Sequence, residues 1–259
     1  MQAILTLFDR AGCYEHSEIS MKEKTMLELQ TYIPAFGSPS ASPFGAKAIA
    51  LLNMAGAKYT IKFGADPRKA PKQKLPVLID GDQTIADSDF IRAHLEKTHN
   101  IDFDAGLSKP ERATSRALIR MVEEHLYFAL VCDRWLNDDN WEHVRATFFG
   151  KIPALVRGVI TNRIRKYARA QATAQGMARH SVDEQLARAD KDITAITDFL
   201  GDKPFLFGKN PTAADASVIP MLKAIAGSPM PTKLSTRVNN DVVLAAYLER
   251  GCAALFPAA

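Results

Sequence analysis

KLPVLIDGDQTIADSDFIRAHLEK, residues 74–97, is the stretch that decides the fold. Within it LPVLIDGDQTIA contains a strand, an Asp80-Gly81 turn of the kind favoured in tight hairpins, and another short strand. Asp87-Ser88 then supplies an N-cap, with Ile91 and Leu95 a turn apart on a helix predicted to reach Lys97. Upstream the period changes twice. LELQTYI from Leu27 reads as a strand and Gly37 to Ser42 as a polar loop. Phe44, Ala48, Leu51, Leu52 and Ala55 then recur at helical spacing, ahead of a stop at Gly56. YTIKF, residues 59–63, alternates as a second strand. The order is βαβ, β-hairpin, helix. A βαβ unit calls for parallel strands with a right-handed crossover, and the hairpin makes the sheet mixed. That is the plan of a thioredoxin-like domain, over residues 26–100.

Beyond Gly106 no strand pattern remains. NIDFDAG, residues 100–106, connects to SKPE (108–111), a capping box whose helix carries Ala117, Met121, Val122, Leu126 and Leu130. SVDE (181–184) opens a helix ending near Leu200, TAAD (212–215) is a third box, and helical stretches near 140–149, 153–175 and 240–254 fill the rest. Residues 107–259 are expected to form an all-helical domain, and residues 1–25 an N-terminal extension of no assigned element.

With 259 residues and 47% hydrophobic content the chain can bury a substantial core. Its net charge of +4, from 33 basic against 29 acidic residues, is mixed in sign and gives little reason to expect a nucleic-acid partner. The three cysteines lie far apart, without a CxxC pair, so neither a disulfide framework nor a zinc site is suggested. No apolar run approaches the ~18 residues of a membrane span, and the first residues are too charged for a secretory signal. A soluble, cytoplasmic protein is expected.

A thioredoxin-like domain followed by a helical one is the layout of the cytosolic glutathione transferases. SPFGAKAIALLNMAG, KLPVLIDG, IADSDFIRAHLEK, DAGLSKPERA, EEHLYFALVCDRWL, GMARHSVDE and GDKPFLFGKNPTAADAS together resemble the failed-axon-connections and metaxin-like branch of that superfamily, from Met26 to Pro257. The resemblance implies a glutathione transferase fold and, usually, a homodimer. It implies a cis-proline at Pro76, with Leu75 pairing its backbone to the glutathione peptide. It also implies that Asp87-Ser88 grips the γ-glutamyl end, that Lys74 meets the glycyl carboxylate, and that Ser42 donates to the glutathione sulfur at the start of a helix whose N-terminus lowers a thiol pKa. Asp215 takes the place of a buried structural cap. One departure stands out: relatives often read S-P-F-C, whereas Gly45 follows Phe44 here, which puts a cysteine-dependent reaction at that position in doubt. From the residues alone, Ser42-Pro43 is also an ordinary cap and first-turn proline, Ser88 can simply cap its helix, and Pro76 could be a trans proline opening a strand.

Other constellations are thinner. Glu123, Glu124, His125 and Asp133 invite a metal reading, but no ligand pair of known spacing appears, so a solvated helix face is expected and no metal. Phe44 and Tyr127 are candidates to line a pocket for a small apolar electrophile, and Trp135 is expected in the core. Arg157, Arg163, Arg165, Lys166, Arg169 and Arg179 leave one basic face that could meet an anionic surface or a partner. Two functions follow: a protein that binds glutathione and activates its thiol for conjugation to, or reduction of, an electrophile, or a non-catalytic interaction module that keeps the fold.

Overall fold

Strand β1 (Leu27–Thr31) buries Leu27, Leu29 and Thr31 on alternate positions, as a central strand covered by helices must. In the computed structural model, which describes residues 26–257, it stands inside a four-stranded sheet ordered β2-β1-β3-β4. β2 (Tyr59–Phe63) runs parallel to β1, while β3 (Val77–Asp80) runs antiparallel to it and pairs with β4 (Gln83–Ala86) across the turn at Gly81-Asp82. The mixed sheet expected from the period changes is therefore present. The N-terminal extension lies outside the described residues.

Helix α1 (Pro43–Met54) is buried continuously from Gly45 to Leu52. A helix apolar nearly all round has to be covered on every side, and α1 packs against β1, against α2 (Ser88–His99) and against α8 (Ala213–Ala226) of the helical region. Leu29, Leu51, Leu78, Ile91, Leu126, Ile193, Ile219 and Leu244 consequently belong to one core shared by both regions.

Behind Ser108, α3 (Lys109–Arg120) continues through a π-helical segment at Met121–Leu126, then α4 (Tyr127–Val131) and a second π segment at Cys132–Leu136. The periodicity predicts a helix there but not its two widened turns. α5 (Asp138–Phe149), α6 (Ala154–Gln175), α7 (Val182–Leu200), α9 (Lys233–Asn239) and α10 (Val242–Leu255) complete the region. All three capping boxes form. At the third, fully buried Asp215 accepts from the Thr212 N–H at 2.8 Å, the Thr212 hydroxyl at 2.9 Å, the Leu206 N–H at 3.0 Å and the Tyr247 hydroxyl at 2.7 Å.

A charged layer crosses the boundary between the regions. Lys47 on α1 is 1% exposed, and its ammonium meets Asp89 of α2 at 2.7 Å and Glu123 of the first π segment at 2.6 Å. Arg116 and Arg120 add bonds to Asp89 at 2.8 and 3.0 Å, and Arg120 also binds Glu123. The expected solvated face is corrected here: Glu123 is buried because a buried lysine needs its charge. Burial works against the Asp89 charge, but Lys47 and the two arginines outweigh it and hold its pKa at about 2. Because this lies below the ~3.9 of an unfolded aspartate, the stabilisation is fully present above about pH 4 and is lost as pH falls from there toward 2. Urea titrations at stepped pH are expected to show about 2 kcal/mol leaving over that window. Asp89→Asn should remove that part of the acid dependence; an identical acid profile in the variant would refute the assignment.

Candidate functional site

The register of the sheet gathers the candidate residues. Gln30 faces Val77, and Val77 faces Ala86, so the end of β1, the start of β3 and the end of β4 lie side by side. The chain after β1 returns to the same end, where the Ala41 N–H donates to Ile33 C=O at 2.8 Å. Ser42, Leu75-Pro76 and Asp87-Ser88 are thereby placed at one end of the sheet, where α1 and α2 both begin.

Leu75-Pro76 is a cis peptide. Leu75 is buried with Val77 and Ala86 in a small second core, and among the described residues neither its N–H nor its C=O takes a partner. Asp87 adopts φ 94, a left-handed conformation that an aspartate holds only under constraint. Its exposed carboxylate accepts from the Asp89 N–H at 2.9 Å, and Ser88 beside it is buried. Lys74 is exposed at the outer end of the row.

Ser42 occupies the N-cap of α1, yet its hydroxyl makes no capping bond. The first bond of the helix runs from the Ala46 N–H to Ser42 C=O. Its backbone is fixed instead from behind: the Ser42 N–H donates to Ser40 Oγ at 3.3 Å, and that hydroxyl lies 3.0 Å from Thr31 Oγ1. Gly45 is what permits this. A Cβ there would lie 2.1 Å from Thr31 Oγ1 and 2.5 Å from Ser40 Oγ, so the position is closed to cysteine by packing.

Phe44 and Tyr127 meet edge-on with centroids 4.9 Å apart, which brings α1 against α4. Tyr32, just past the end of β1, packs against Leu75 and its neighbours and edge-on against Phe148 at 6.1 Å. Its hydroxyl is pushed up to about 12, by burial first and then by Tyr127 and Asp66. Tyr127 is likewise raised by burial, so both phenols keep their protons at neutral pH.

The loop before Ser42 is held by the helical region. Buried Arg134, on the second π segment, donates to Ala41 C=O at 3.0 Å and to Ala224 C=O at 2.6 Å, and its guanidinium lies 4.4 Å over the Phe36 ring. Desolvation lowers its pKa to about 10. Gly227 completes the contact, since a Cβ there would lie 1.9 Å from the Phe36 carbonyl oxygen.

Residues 43–140 match the glutathione S-transferase N-terminal domain and residues 189–251 its C-terminal domain. An isoprene-epoxide–glutathione S-transferase of Rhodococcus sp. (strain AD45) is 34% identical over 238 residues, covering 87% of this chain and 97% of that protein. The chain belongs to the glutathione S-transferase family. Its relatives include Metaxin-1 of Mus musculus, 26% identical over 85% of this chain and 72% of that one, and Failed axon connections of Drosophila melanogaster, 26% identical over 78% and 51%. These agree with the branch read from the sequence. Glutathione transferase GSTFuA3 of Phanerochaete chrysosporium superposes with a TM-score of 0.62 at 17% identity over 91% of this chain and all of that one, showing the shared fold.

At this site, sequence reasoning passed over Tyr32 and Arg134. The signal for Tyr32 was its place at the end of a strand leading into the Ser42 loop. Arg134 had no local signal, because its partners are 93 and 90 residues away. Among the metal candidates, Glu123 is taken by Lys47 and Arg120, while His125 lies 2.5 Å from Asp192 and 3.0 Å from Arg188. Trp135 stacks on Phe148 at 5.6 Å and is half-buried.

Proposed function

We propose that this protein binds glutathione across that end of the sheet and activates its thiol for attack on a small apolar electrophile. The observation carrying the reading is the convergence of the Ser42 hydroxyl, the unpaired Leu75 backbone and the Asp87-Ser88 turn at one end of the sheet. An extended peptide there would pair with Leu75 as an added strand, its α-ammonium would meet Asp87, and its thiol would sit at the α1 N-terminus under Ser42. Lys74 stands at the glycyl end. Phe44 and Tyr127 form the wall for the electrophile.

The 34% relative suggests an epoxide as the electrophile class. In that reaction the S–C bond forms as the ring C–O bond breaks, and the freed oxygen takes a proton to become a hydroxyl. Tyr127 can supply that proton and regain it from water, so the adduct contains every atom of both reactants. A cytoplasmic homodimer belongs to the same reading. The interaction-module alternative draws support from the metaxin and Failed axon connections relatives, whose names state no reaction.

Calorimetry with glutathione is expected to show binding by the wild type and at least tenfold weaker binding by Asp87→Ala, which removes a charge-assisted partner. Ser42→Ala should keep binding but lower turnover of a small epoxide by roughly a hundredfold. No binding by the wild type would end the proposal in favour of the module. Full turnover in Ser42→Ala, with loss in Tyr32→Phe, would transfer the donor role to Tyr32.

A further inference from the structure

The hairpin of α5 and α6 ends in an apolar tip. Leu155 is 94% exposed, Val159 76% and Tyr167 64%, with Val156 and Ile160 exposed beside them. At 3.6 residues per turn these five share one side of α6, while the opposite side, through Arg157, Thr161, Arg165 and Ala172, faces the protein. Five basic residues and no acidic one lie on this helix. Two of the five are committed inward: Arg157 to Gly150 and Ile152 carbonyls, Arg165 to the Trp135 and Leu136 carbonyls and Asp138. Arg163, Lys166 and Arg169 are exposed and enter no ion pair among the described residues. On neighbouring α5, Asp138 is taken by Arg165 and Glu142 by Arg145, leaving Asp139 at the far end from the tip.

We propose that this tip docks on an anionic lipid bilayer. Leu155, Val156, Val159 and Ile160 occupy the first two turns and would enter the headgroup boundary to the ~5–10 Å depth of interfacial helices. Arg163 and Lys166 follow one to two turns along, about 10 Å higher, at the level of the lipid phosphates. Tyr167 offers an aromatic ring with a polar edge at that same level. Charge decides between bilayer and self-association, because a second copy on this face would bring the same unpaired cations against the first with no acid on α6 to answer them.

Flotation of the full chain with vesicles tests this. It is expected to float with phosphatidylcholine vesicles that contain phosphatidylglycerol, not with phosphatidylcholine alone, and to be released by high salt. Val159→Asp and the pair Arg163→Glu with Lys166→Glu should each lower partitioning about tenfold or more, with circular dichroism and glutathione conjugation unchanged. Lys62→Glu, with the same charge change as Lys166→Glu alone but on the far edge strand, should have little effect. Equal partitioning of wild type and Val159→Asp, or of Lys62→Glu and Lys166→Glu, would overturn the proposal. So would concentration-dependent dimerisation abolished by Val159→Asp, which would give the face to a second copy.

Discussion

Asp215→Ala is expected to cost about 4 kcal/mol of unfolding free energy, lowering the thermal midpoint by roughly 10 °C. Its carboxylate is fully buried and accepts four hydrogen bonds: two from Thr212, one from the Leu206 N–H and one from the Tyr247 hydroxyl. Removing the acceptor strands all four donors at a fully buried position. Burial pushes the carboxyl upward, and those donors keep the charge tolerable. Tyr247→Phe provides the scale, because it drops one donor and keeps the ring, and should cost about 1 kcal/mol. If Asp215→Ala unfolds at the same denaturant midpoint as Tyr247→Phe, the capping account of α8 is wrong.

Gly45→Cys, which would write the S-P-F-C pattern into this chain, should destabilise the fold by about 2–3 kcal/mol rather than add a working thiol. The added Cβ lands 2.1 Å from Thr31 Oγ1 and 2.5 Å from Ser40 Oγ, and both are buried side chains on fixed backbone. The small gain in helix propensity over glycine, under ~1 kcal/mol, does not offset that overlap. In a Thr31→Ala, Ser40→Ala background the penalty should fall by at least half, and a double-mutant cycle reads the coupling directly. A Gly45→Cys protein with an unchanged urea midpoint would show that the start of α1 is not packed as described.

Features written in neighbouring residues were legible in the sequence. The strand alternation of Tyr59 to Phe63, the Asp80-Gly81 turn and the three capping boxes are each signalled by residues within a few positions, and each element formed. Features set by distant contacts were not. Nothing local in Met121–Leu126 or Cys132–Leu136 announces a widened turn, and α9 is short and follows two prolines. The basic face read along residues 157–179 was only partly right, since Arg157 and Arg165 turn inward to carbonyls that the sequence could not bring near. Glu123 was misplaced for the same reason: Lys47, the cation that buries it, is 76 residues away. At the candidate site, the order Ser42, Leu75-Pro76, Asp87-Ser88 was readable, whereas the supports behind it were not.

The Arg134 clamp bears on how such proteins are rebuilt by recombination. The Ser42 loop takes its position from a guanidinium, an α8 carbonyl and a glycine that all belong to the helical half. A chimaera joining this sheet region to the helices of another family member would keep Ser42, Leu75-Pro76 and Asp87-Ser88 and still lose the aim of the Ser42 hydroxyl. Exchange between lineages is then tolerated only where Arg134 and Gly227 travel together with the sheet they steady.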